Sequence, residues 1–181
     1  MNDKILKDLK NVRKVVSIFV DRNNKEKCCT GYLSYFDDEG IIINYITSGG
    51  EFDGYGWRKK DDIYRIDVNG KYEEKLQLLY NLKKQKNINI ELENKSGYLK
   101  SLIDFAFLNK EVVEISVDEL DEQESIIGII KEILEDDIMS ITQIDEFGEK
   151  NGISYIYISD IIKLDCGGVD LSDRKLFLDK K

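Results

Sequence analysis

Residues 51–62 read EFDGYGWRKKDD and set Phe52, Tyr55 and Trp57, the only tryptophan, beside Arg58, Lys59 and Lys60. Aromatic rings interleaved with cations offer two chemistries. Single-stranded bases stack on such rings while the cations meet the backbone phosphates. Trp, Tyr and Arg are also the usual anchors of protein interfaces. A plainer reading stands beside both. On a strand every second side chain points inward, so alternate aromatics fill the interior while Gly54 and Gly56 shape a bulge or turn.

A second candidate is acidic. Asp118, Glu119, Asp121, Glu122 and Glu124 crowd one stretch, and Glu135, Asp136 and Asp137 another. Residues 111–181 hold 7 basic and 19 acidic side chains, whereas residues 1–70 hold 12 of each. That face either aids solubility or attracts a basic partner, and it repels a phosphate backbone. The triplet at 135–137 lacks the spacing of a calcium loop and reads as a solvated turn. Asp62 and Asp160 occupy equivalent places before a final strand, where an Asp side chain serves a turn or cap.

The inventory argues against catalysis. There is no histidine, so the commonest general base and metal ligand is missing. No Gly-rich phosphate loop, nucleophile elbow or Cys/His metal set is present. Cys28, Cys29 and Cys166 give no disulfide framework and no paired metal spacing, and they read as structural thiols. The expectation is a protein that is not an enzyme, with no cofactor and no metal.

The elements that carry these residues come in two copies. VVSIFVD at 15–21 returns as VVEISVD at 112–118, and Gly31, Ile41, Asp62, Asp67 and Gly70 return as Gly128, Ile138, Asp160, Asp165 and Gly168. The spacing is 97 residues early and 98 late, with the one-residue slip placed between 48 and 60. So long a period marks a duplicated domain rather than a solenoid unit. Each copy reads as one helix and five short strands. Asn2 caps the first helix, with Ile5, Leu6 and Leu9 on one stripe. Ser96 caps the second, whose Leu99, Leu102, Ile103 and Ala106 share a face buried between the domains. The strands are expected at 14–20, 28–36, 41–47, 52–58 and 62–67, then at 111–117, 125–134, 137–144, 152–158 and 160–166. A helix over 71–86, with Leu76, Leu79, Tyr80 and Leu82 inward, joins the copies.

A helix leading into five short strands is the layout of Sm-like domains, and residues 31–43 add a motif. Gly31, Leu33, Phe36 and Asp37 resemble the first Sm signature. The asparagine that holds a base in Sm proteins falls at Ile41, and their Arg-Gly pair has no counterpart. The resemblance therefore implies fold and not RNA binding. A second pattern is similar to one found in uncharacterised two-repeat proteins of low-GC Gram-positive bacteria. It comprises Gly50, Asp53, Gly54, Tyr55, Arg58, Asp62, Ile63, Arg65, Ile66, Tyr72, Lys75, Leu76, Leu79 and Tyr80. That resemblance implies no activity.

Together these readings predict a mainly β protein with flanking helices: two tandem five-stranded Sm-like barrels, each preceded by a helix. The first barrel is expected over 1–70, a helix and linker over 71–96, the second barrel over 97–170 and a helical tail over 171–181. The expected function is a non-catalytic, cytoplasmic protein-interaction or adaptor module. One alternative is RNA binding through the 51–62 hairpin, and the other is an acidic immunity or anti-defence inhibitor. The expected partner is another protein and not a membrane, and a homodimer is compatible with the layout.

Overall fold

The computed structural model describes residues 1–85, 90–94, 96–117, 125–135 and 137–180. The chain divides into two compact units, Met1–Glu93 and Asn94–Lys181. The first contains α1 (Asp3–Val12), β1 (Val15–Phe19), β2 (Cys29–Phe36), β3 (Gly40–Ile46), β4 (Phe52–Lys59), β5 (Arg65–Val68) and α2 (Lys71–Leu82). The second contains α3 (Tyr98–Leu108), β6 (Val112–Ser116), β7 (Ile126–Ile133), β8 (Ile138–Ile144), β9 (Lys150–Tyr157), β10 (Lys163–Cys166) and α4 (Val169–Asp179).

The helix ends follow local chemistry. Asn2 Oδ1 accepts from the Lys4 N–H at 2.8 Å and opens α1. Arg13, left-handed at φ 48, closes it. Ser96 does not occupy the cap position of α3, which belongs to Gly97 at φ 91. The apolar face of α3 is fully used: Leu99, Leu102, Ile103 and Ala106 are buried, with β7 of its own unit beneath the helix.

Two closed Sm-like barrels, the fold expected from the sequence, are not formed. The ten strands among the described residues make open antiparallel sheet, ordered β5-β1-β2-β3-β4 in the first unit and β10-β6-β7-β8-β9 in the second. Closure would require β4 to meet β5 and β9 to meet β10. Instead a 3-10 turn (Lys60–Asp62) carries the chain from β4 to β5, which pairs with β1 across the sheet. Ile158–Asp160 does the same before β10, which pairs with β6.

Alternation along β1 sends Val16 and Ile18 to one face and Val15 and Ser17 to the other. The first face packs Val16, Ile18, Leu33, Ile41, Ile43 and Ile63 around Leu6 of α1. The second packs Val15, Tyr32 and Ile46 against Leu76 and Tyr80 of α2. The helix expected as a connector is therefore part of the first unit's core. It ends at Leu82, which is exposed rather than inward. In the second unit Leu171 of α4 packs on Val112 and Ile144 in the corresponding way. Gly31 and Gly128 share a steric cause, because a Cβ would strike the Asn44 carbonyl at the first and the Thr142 carbonyl at the second.

The register moves the slip between copies. β2 and β7 have equal lengths, as do β3 and β8, but three residues join the first pair and four the second. The extra residue thus lies in the turn before β8, not between 48 and 60. Leu33 faces Ile43 as Ile130 faces Ile141. The counterpart of Ile138 is consequently Gly40 and not Ile41. Among the described residues, no helix is long and apolar enough to cross a membrane.

Candidate functional site

The 51–62 segment is built into the first unit. β4 lies on β3 with Trp57 opposite Ile42, Tyr55 opposite Asn44 and Phe52 opposite Ile46. Tyr55 and Trp57 are buried, and Phe52, half-buried, meets Tyr55 edge to face at 5.1 Å. The Trp57 indole sits where a side chain at Gly40 would begin, and its Nε1 is buried with no hydrogen-bond partner among the described residues. The Arg58 guanidinium is buried too; Nη1 donates to the Trp57 carbonyl at 2.8 Å, and the group stands 5.5 Å above the Tyr45 ring. Lys60 is buried and donates to Asp3 Oδ1 at 2.5 Å and to the Asp37 carbonyl at 3.2 Å. Lys59 alone among Arg58, Lys59 and Lys60 is exposed. Tyr55, Trp57, Arg58 and Lys60 are thus committed to the fold.

The acidic candidates separate. Asp118, Glu119, Asp121, Glu122, Glu124 and Asp136 lie outside the described residues. Glu135 is exposed in the turn before β8. Asp137, left-handed at φ 64, ties that turn down: its carboxylate meets Lys100 Nζ of α3 at 3.1 Å and accepts from the Ser159 N–H at 2.9 Å. Burial pushes the Asp137 carboxyl up, but Lys100 and the bonds from Ser159 outweigh it and hold the group below its ordinary range. Asp62 and Asp160 each end a 3-10 turn, one in each unit.

Three features escaped the sequence. The first is a buried polar chain under α2. Ser17 Oγ donates to Glu73 Oε1 at 2.5 Å and lies 3.3 Å from the Thr30 hydroxyl, all three residues being buried. Glu73 stands in the first turn of α2, where the helix N-terminus favours negative charge. The second is a cleft of about 390 Å³ between the end of α1 and β2, lined by Lys10, Asn11, Arg13, Tyr32, Ser34 and Tyr35. Its polar groups are mostly engaged in the fold: Tyr35 donates to the Ile90 carbonyl, Tyr32 pairs with Gln77, and Ser34 donates to Asn44.

The third is β9, the last strand of the second unit's order. Ile153, Tyr155 and Tyr157 are 46%, 62% and 53% exposed. Their cross-strand partners on β8 are Thr142, Ser140 and Ile138, so the three share one face. By register their counterparts in β4 are Tyr55, Trp57 and Lys59. Trp57 is 2% exposed and Tyr155 62%. Gly40 leaves room for the Trp57 indole, and the residue at the corresponding place in β8 is Ile138.

Among the described residues, no group of three or more Cys, Asp or Glu side chains could hold a metal ion. Cys28 and Cys29 are half-buried, Cys166 is buried, and all three are free thiols. The chain matches no protein-family model, no curated protein and no solved structure.

Proposed function

We propose that the protein is a non-catalytic protein-interaction module that meets its partner at the outer edge of β9. One observation carries this reading. An eight-residue strand ends the second unit's order and presents Ile153, Tyr155 and Tyr157 to solvent, while the equivalent strand β4 buries its aromatics. Proteins ordinarily blunt such edges with charge, proline or a covering element. Tyrosine supplies a large amphipathic contact of the kind that anchors interfaces. The polar side chains that could have served chemistry, Arg58, Lys60, Asp137 and Glu73, are engaged within the fold. RNA binding on the 51–62 hairpin needs Trp57 and Arg58 exposed, and both are buried.

The test compares the tagged full-length chain with an Ile153→Lys/Tyr155→Lys variant. The wild type is expected to retain at least one protein in stoichiometric amount that the variant loses, with unchanged circular dichroism and melting temperature. An identical retained set would overturn the reading.

A further inference from the structure

We infer that the edge of β9 accepts an extended, basic segment of another protein as an added strand; this rests on the interaction reading above. Two independent features meet there. The first is the edge itself, which among the described residues pairs with β8 alone, so that its outer backbone N–H and C=O groups template a further strand. Ile153, Tyr155 and Tyr157 give every second residue of the incoming chain an apolar contact.

The second feature is charge. Glu146 and Glu149 are exposed in the hairpin that enters β9, and Asp160 is exposed just beyond its exit. The exit is also tied to the turn bearing exposed Glu135, since the Ile158 N–H donates to the Asp137 carbonyl at 2.8 Å. Carboxylates therefore flank both ends of the strand, with Lys150 as its one basic residue. They belong to a segment, 111–181, holding 7 basic and 19 acidic side chains. Complementary charge of this kind speeds encounter and excludes wrong partners.

The same carboxylates argue against a second copy of this chain as the occupant. Antiparallel pairing of two β9 strands would set Glu146 and Glu149 of one copy beside Glu135 and Asp160 of the other. Parallel pairing would align each acid with itself. Like charges facing across a ladder are destabilising. A segment with Lys or Arg near its ends and β-branched or aromatic residues at alternate positions satisfies both edge and charge.

The test is a displayed library of random peptides about twelve residues long, long enough to span the strand. It is selected on the full-length chain and counter-selected on the Ile153→Lys/Tyr155→Lys variant. Discriminating clones are expected to be enriched in Lys and Arg with period-two apolar residues. They should bind the variant about tenfold or more weakly, as loss of an interface anchor predicts. Their affinity should also fall as ionic strength rises. Discriminating clones without basic enrichment would overturn the inference and leave the interaction surface standing. An absence of discriminating clones would remove both. Self-association of the wild type abolished by the variant would also overturn it, because the edge would then belong to a second copy.

Discussion

The indole of Trp57 occupies the space that a side chain at Gly40 would need. The pair lies at one corner of the β3–β4 ladder, where Gly40 faces Lys59 and Ile42 faces Trp57. The second unit keeps the ladder and changes the pair: Ile138 faces Tyr157, Ser140 faces Tyr155, and the ring at 155 is exposed. A turn-end glycine thus accompanies a buried ring in the first unit, and an isoleucine accompanies an exposed ring in the second.

The first expectation concerns that glycine. Gly40→Val places methyl groups inside the indole's space, and overpacking of this kind costs about 1–3 kcal/mol. Urea unfolding measures the loss. Because Trp57 is the only tryptophan, its native emission should also shift to the red as the ring is displaced. A variant with wild-type midpoint and emission would show that the indole does not depend on the space at residue 40.

Equivalent positions in the two units should respond oppositely. Trp57→Ala removes a buried ring and is expected to cost about 3–5 kcal/mol. Tyr155→Ala removes a mostly exposed one and should fall within about 0.5 kcal/mol of wild type. Paired denaturation curves check this, and equal losses at both sites would contradict the burial contrast on which the β9 surface rests.

Much of this arrangement was legible in the residues. Period-two alternation and Asp/Gly clusters locate all ten strands to within a few residues, because buried faces force that pattern on a strand. The stripe of Leu99, Leu102, Ile103 and Ala106 likewise identifies a buried helix face. Identity between copies misled at Ile41 and Ile138. An isoleucine repeats there by chance, and only the ladders reveal that the turn before β8 is one residue longer. That error hid the Gly40–Ile138 exchange. Barrel closure was not legible either, since five short strands with short links fit open sheet equally well. Nor does the helical pattern around Glu73 announce that its carboxylate reaches under α2 to Ser17, a residue 56 positions away.

That buried contact can be measured. Ser17→Ala, Glu73→Ala and the double variant form a cycle, and a hydrogen bond to a charged group should appear as a coupling of about 1.5–3 kcal/mol. Glu73→Ala should be the milder single change if the carboxylate leaves with its desolvation cost, since Ser17 retains Thr30 as a neighbour. Additivity within about 0.5 kcal/mol would mean that the two groups do not act together.

Alkaline pH should loosen the fold through three groups. Burial pushes the Cys166 thiol far above its ordinary value, with Asp165 and Glu111 adding to the effect. Burial also raises the Tyr32 and Tyr80 phenols, against a lowering hydrogen bond from Gln77 at Tyr32 and reinforced by Tyr32 at Tyr80. Each group is neutral when protonated, so a raised folded pKa means that the folded chain holds its proton more tightly than the unfolded chain. The resulting stability is complete below the unfolded values, about 8.5 for Cys and about 10 for Tyr, and is lost as pH rises through the folded ones. Unfolding midpoints should therefore hold near neutrality and decline above about pH 9. Cys166→Ala should remove the earliest part of that decline. A thiol reagent at neutral pH should label half-buried Cys28 and Cys29 in the native chain and reach Cys166 only after unfolding. Native labelling of Cys166 at the rate of the other two would show that its burial, and the alkaline sensitivity derived from it, is wrong.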